Sequence, residues 1–218
     1  MGALLAGVAT AAAAETMTKP ATGATRVVFS TPGELIVKPG SEEKVVIEAE
    51  AKVLPKLDVS MSGGTLTITS KGSFKTEKTL RYTVTLKTFR GLKADGSGNS
   101  LVEGFSGGDM EVEAGGSNNV EVKNVKADRL KLVITSAANI EASGSGKTVV
   151  ARIDGTGNID AVGFHAKSAD TTLEGSGTIR VYADENLKAV LNGAGNIEYK
   201  GNAKVAKTIN GAGSVDPI

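Results

Sequence analysis

Four residues recur at one position, immediately before a glycine-rich corner: Asp154, Glu174, Asn192 and Asn210. Arg152 and Arg180 lie close to the two acids in sequence. If the segments stack as neighbouring strands, Asp154 and Glu174 approach to about 5 Å. Two carboxylates so placed could act as an acid/base pair on a glycosidic bond, or contribute oxygen ligands to a cation. The functional reading is a glycan- or cation-binding edge; the reading that the sequence favours is a solvated polar flank beside a turn. A second set, Asn99, Asn119, Asn139, Asn158 and Asn196, occupies the last position of the same corners. Stacked asparagines can bond to one another along a ladder and hold a corner, and could also offer amides to sugar hydroxyls. His165 is the only histidine, so a multi-histidine metal site is excluded. It reads as a loop histidine without a catalytic task, since Ser168 and Asp170 are neighbours in sequence only. The Gly-Gly-x-Gly-x-Asp calcium repeat is absent. No catalytic residue, metal ligand or cofactor-binding residue is assigned.

What must position these residues is a repeat. The stretch IDGTGNIDA at 153–161 looks at first like a phosphate loop. Such a loop occurs once and opens a helix. Here the corner returns seven times, with its fourth residue at 99, 119, 139, 158, 178, 196 and 214. The intervals are 20, 20, 19, 20, 18 and 18 residues, and the residues after each corner alternate like a strand. Two residues before the corners stand Ala114, Ile134, Ile153, Leu173, Leu191 and Ile209. One residue after the fourth position stand Ser100, Val120, Ile140, Ile159, Ile179, Ile197 and Val215. Columns of aliphatics at this period predict a short parallel β-helix, right-handed by the crossover rule, of about seven 18–20-residue coils. Ser100 and Lys207 interrupt their columns and are expected at the two ends, where a solenoid needs polar caps.

Residues 20–92 lack the repeat. They carry strand-like runs at 25–30, 33–38, 43–50, 56–61, 64–70 and 79–88, separated by Pro-Gly and Gly-Gly turns. They predict an antiparallel β region covering the first coil, with one loop or helical turn at Val53-Leu54-Pro55. Residues 1–19 read as a leader whose small apolar residues end in Ala12-Ala13-Ala14, a secretory signal with cleavage near Ala14/Glu15. The expected division is therefore a leader at 1–19, an antiparallel region at 20–92 and a β-helix at 93–218.

Composition narrows the function. A net charge of +1 and 4% aromatics give neither the basic surface nor the stacking platforms that nucleic acids need. The absence of cysteine excludes disulfides, thiolate metal sites and a cysteine-linked lipid. No segment is long and apolar enough for a transmembrane helix.

The order LIVKPGSEEKVVIEAEAKVLPKLDV, GGTLTI, YTVTL and then serial GSGN and GAGNI coils resembles the head GIN domain family of bacterial auto-transporter adhesins. The resemblance covers about residues 25–216. It implies an exported, β-rich protein with a β-helical part and assigns no catalytic residue. This chain departs from the family in Ser100, in the altered corners at 116–119 and 136–139, and in having no lipoprotein cysteine. The expectation is a non-catalytic, exported binding or structural module of the cell envelope, adhesive in character. Its partner would be an envelope or surface component, such as a glycan, and copies could associate through the coil ends. The alternative is a carbohydrate-active β-helix enzyme using Asp154 and Glu174.

Overall fold

The computed structural model describes residues 14–218. Strand makes up 73% of the described residues, so the core must be built almost wholly from strand side chains. Among the described residues the only helical element is a 3-10 turn at Leu54–Lys56, and no helix is long and apolar enough to cross a membrane.

In chain order the N-terminal strands are β1 (Ala14–Pro20), β2 (Arg26–Ser30), β3 (Gly33–Pro39), β4 (Lys44–Glu50), β5 (Leu57–Ser62), β6 (Thr65–Ser70) and β7 (Arg81–Leu86). The coils come next as β8 (Gly91–Ala94), β9 (Ser97–Glu103), β10 (Asp109–Ala114), β11 (Ser117–Ile134), β12 (Ala137–Ile153), β13 (Thr156–Leu173), β14 (Ser176–Leu191), β15 (Ala194–Lys200), β16 (Lys204–Ile209) and β17 (Ala212–Pro217). From β8 onward every strand lies parallel on its counterpart in the next coil, forming a parallel β-solenoid of about six turns.

The register is the one the repeat predicts. Ile134, Ile153, Leu173, Leu191 and Ile209 are consecutive partners. The first four are fully buried. Ile209 is 41% exposed because the described residues place no coil beyond it. Each buried Ile or Leu contributes about 1.5–3 kcal/mol by leaving water, and each does so only because its neighbours cover it. Phe164, also fully buried, fills space that the preceding coil leaves at Gly146, where a Cβ would lie 2.7 Å from the ring.

The corners work by close backbone approach. Gly157, Gly177, Gly195 and Gly213 stack with φ between +142° and +151°, and a Cβ on any of them would sit 1.6–1.8 Å from a carbonyl oxygen of the coil before. The altered corner at 116–119 is held differently. Asn118 occupies the glycine position there, is 2% exposed, and donates through Nδ2 to the carbonyls of Ala94, Gly96 and Gly115 at 2.7–3.0 Å. Its amide replaces part of the hydrogen bonding that a tighter glycine turn supplies to the backbone.

The N-terminal region contains the expected antiparallel pairs: β5 on β6, β4 on β7 and β1 on β4. It also does something that the alternation of its residues could not reveal. β2 lies parallel between β6 and β8, and β3 lies parallel between β7 and β9. These strands extend the stack by two layers, threaded out of sequence order, and the antiparallel strands close the far end. Alternation reports which face is buried, not the direction of a partner. One signal was present: Gly33, after Thr31-Pro32, pairs with Gly98, and both have φ +131°. Thr31-Pro32-Gly33 is therefore a corner without the first glycine. Ser100 accordingly does not lie at the end of its column. It is buried between Leu35 and Val120, and its hydroxyl has no partner among the described residues. β1 takes in residues 14–20, most of which the sequence pattern groups with the leader. The preceding residues, 1–13, lie outside the described part, and with them the body of the expected signal.

Candidate functional site

The strand after each corner turns alternate side chains outward. The first outward column runs Glu34, Asn99, Asn119, Asn139, Asn158, Thr178, Asn196, Ser214, all in register. Asn119 Nδ2 donates to Asn99 Oδ1 at 3.4 Å, Asn139 to Asn119 at 3.1 Å and Asn158 to Asn139 at 3.2 Å. The ladder changes partner at Thr178, whose backbone N–H donates to Asn158 Oδ1 at 3.1 Å. Asn196 belongs to a separate short rung and accepts from the Ser214 hydroxyl at 3.2 Å. All five asparagines are exposed, so each rung keeps a spare N–H facing water.

Two residues further along each strand comes a second outward column: Ile36, Leu101, Glu121, Glu141, Asp160, Arg180, Glu198, Asp216. The two columns floor a groove of about 580 Å³, lined by Glu34, Ile36, Leu101, the four laddered asparagines, Glu121, Glu141 and Asp160. A smaller hollow of about 230 Å³ continues it past Asn158 and Asp160 to Thr178 and Arg180. Sequence reading finds the asparagines but misses the acids beside them. The signal was available, since Asn-hydrophobe-acid recurs at 119–121, 139–141 and 158–160.

The edge at Asp154 is built otherwise. Arg152 Nε donates to Asp154 at 2.9 Å, and its Nη2 reaches Glu174 at 2.6 Å. Asp154 above all, joined by Glu174, holds the guanidinium above its ordinary pKa. Asn210 Nδ2 donates to Asn192 Oδ1 at 3.0 Å. The structure thus gathers the four residues into one stacked edge, with both carboxylates engaged by a single arginine. Arg180 lies elsewhere, bonded to Glu198 at 2.7 Å. His165 sits in β13, not in a loop, with its ring stacked on Tyr182 of the next coil at 4.3 Å. Among the described residues no group of three or more acidic or histidine side chains could hold a metal ion.

The most strongly perturbed acid lies in the N-terminal cover. Glu50 is 1% exposed, and its pKa is lowered to about 2, first by Lys52 and then by the Glu77 backbone N–H, against the effect of burial. Thr76 and the Lys78 backbone N–H add to the lowering. The carboxylate ties the 76–78 turn to β4, a structural clamp outside the groove lining.

With this geometry in place the comparisons decide the family. Residues 25–203 match the model described as putative auto-transporter adhesin, head GIN domain. The chain belongs to that family. A crystal structure of a putative adhesin from Bacteroides fragilis superposes with a TM-score of 0.90 at 20% identity, covering 95% of this chain and 98% of that one. A putative lipid binding protein from Parabacteroides distasonis gives 0.66 at 23% identity over 94% and 96%. A putative adhesin from Parabacteroides merdae gives 0.62 at 19% over 94% and 96%. At these identities the head GIN likeness to solved structures establishes the fold. No curated protein matches the chain.

Proposed function

We propose that this head GIN chain is a non-catalytic, exported binding module of the bacterial envelope, with adhesion as its role. The observation that supports the non-catalytic reading is the state of the acid pair that the repeat places beside the corners. Asp154 and Glu174 share the Arg152 guanidinium, which ties both carboxylates to one cation as a surface ion-pair cluster and not as a separated acid and base facing a cleft. What the fold offers instead is a rigid outward face of regularly repeated polar side chains, with function resting on those groups. Export is supported by the leader-like residues before Ala14 and by family membership. Cleavage near Ala14/Glu15 would leave residues 15–20 paired with β4, so the described strands do not depend on the leader.

Expression in a bacterial host, then fractionation and N-terminal sequencing, tests the compartment. The expected result is mature protein outside the cytoplasm, starting near Glu15. Retention in the cytoplasm with an intact leader overturns the envelope role. Incubation with a panel of polysaccharides, with Asp154→Asn and Glu174→Gln alongside, tests the chemistry: any cleavage abolished by either substitution overturns the non-catalytic reading.

A further inference from the structure

The outward face departs from its usual pairing of charges over the longest run in the groove, with a shorter like-charge pair, Glu198 and Asp216, at the last coil. Elsewhere, adjacent coils tend to set opposite charges against each other: Glu111 with Lys131 at 2.7 Å, Asp128 with Lys147 at 2.7 Å, Arg180 with Glu198 at 2.7 Å. In the groove, Glu121, Glu141 and Asp160 are direct partners on three successive coils. Like charges facing each other across a strand pair destabilise it. Glu121 has Lys123 beside it and Asp160 has Arg180 at 3.8 Å, but Glu141 makes no hydrogen bond or ion pair among the described residues. No basic side chain lines the main groove.

We infer that this groove binds an extended, neutral, hydroxyl-rich glycan laid along the solenoid axis, a ligand class that deepens the binding role proposed above and rests on it. The hydrogen-bonding inventory is the first reason. Each asparagine rung uses one N–H on its neighbour and turns the other outward, while the carboxylates accept strongly and donate nothing. A chain of hydroxyls, each both donor and acceptor, meets both columns. Spacing is the second: the rungs repeat at about 4.8 Å, the distance between paired strands, close to the advance of one sugar in an extended polysaccharide. Shape is the third. A volume of about 580 Å³ lies within the range of roughly 300–1,000 Å³ typical of ligand sites. Ile36 and Leu101, stacked as partners at one end and both partly exposed, give an apolar platform for the C–H face of a ring. Charge is the fourth. Arg81, Lys123 and Arg180 pair with Glu34, Glu121 and Asp160 from outside the lining, which leaves Glu141 as the floor's unpaired charge and disfavours uronate-rich or sulfated chains.

The test uses purified protein lacking the leader and titration calorimetry with tetrasaccharides of glucose, of N-acetylglucosamine and of galacturonate. The neutral tetramers should bind and the galacturonate tetramer should not. Glu141→Ala and Asn139→Ala, both at exposed positions, should each weaken neutral binding about tenfold or more, the effect of losing one charge-assisted or shared hydrogen bond. Asp170→Ser, on another face, should leave binding unchanged, and melting curves should show all three variants folded. The inference is overturned if neither neutral tetramer binds at millimolar concentration, if galacturonate binds as well as the neutral sugars, or if folded Glu141→Ala and Asn139→Ala both bind like the parent. The outcomes stay separable from the wider reading: exported, adhesive protein that binds no neutral sugar sinks only the groove assignment, whereas sugar binding by a protein retained in the cytoplasm sinks only the envelope role.

Discussion

One methyl group at Gly177 should cost more than most core truncations. The residue sits at φ +142°, and an added Cβ would lie 1.7 Å from the Gly157 carbonyl oxygen in the coil before. Holding a non-glycine residue in that backbone region costs about 1–3 kcal/mol. Relieving the contact requires the two stacked backbones to part by more than an ångström. That movement strains the bonds on either side, from Ser176 N–H to the Gly155 carbonyl at 3.0 Å and from Thr178 N–H to Asn158 Oδ1 at 3.1 Å. Each weakened bond adds about 0.5–1.5 kcal/mol. Gly177→Ala should therefore destabilise by about 3–5 kcal/mol, a fall of roughly 10 °C or more in Tm for a chain of this size. The control is built into the same column. Ala138 occupies the equivalent position two coils earlier without a positive φ. Ala138→Gly should cost only the roughly 0.5–1 kcal/mol of added backbone freedom. Thermal melts monitored by circular dichroism would compare the pair. Equal small shifts in both would refute the claim that close carbonyl approach dictates the glycine column.

Burial and charge set three further outcomes. Leu173→Asp should unfold the solenoid, because it removes about 1.5–3 kcal/mol of burial and strands a carboxylate between Ile153 and Leu191; Asp170→Ser should be close to neutral, and urea titration giving equal midpoints would mean the faces are misassigned. Glu50 has its pKa lowered to about 2 from 4.5, so its stabilising effect is fully present above the unfolded value and disappears as pH falls through the folded one; Glu50→Gln should flatten the dependence of Tm on pH between about 5 and 2, and an unchanged slope would show that the clamp does not act. Ser100→Ala should raise Tm by a few degrees, since it deletes a buried hydroxyl without a partner at about 1–3 kcal/mol for such a group; a lower Tm would mean that the hydroxyl is satisfied.

The solenoid was legible because its evidence is redundant. Ile153, Leu173 and Leu191 repeat one position, and each confirms the phase of the others. The out-of-order layers at β2 and β3 were not legible in the same way. Val27, Phe29, Leu35 and Val37 alternate as any half-buried strand does, and the corner that marks β3 as a coil has Thr31 where the others have Gly or Ser. The candidate site divides along similar lines. The asparagines stood out because they adjoin the glycines, whereas Glu121, Glu141 and Asp160 are ordinary outward residues on any single strand. Their meaning appears only when three coils are laid over one another. Conversely, the sequence puts Asp154, Glu174 and Arg152 near one another, but only the structure shows one guanidinium bridging both acids.

The stack of glycine corners also makes the protein a ruler with interchangeable divisions. Every coil from Thr156 onward presents the same corner to its neighbours along the stack, so an inserted or deleted copy would find matching joints on both sides. Reach along the axis can thus change in single steps while the closed N-terminal end stays as it is. Relatives of different length are then expected to differ by whole windings, not by scattered loop insertions.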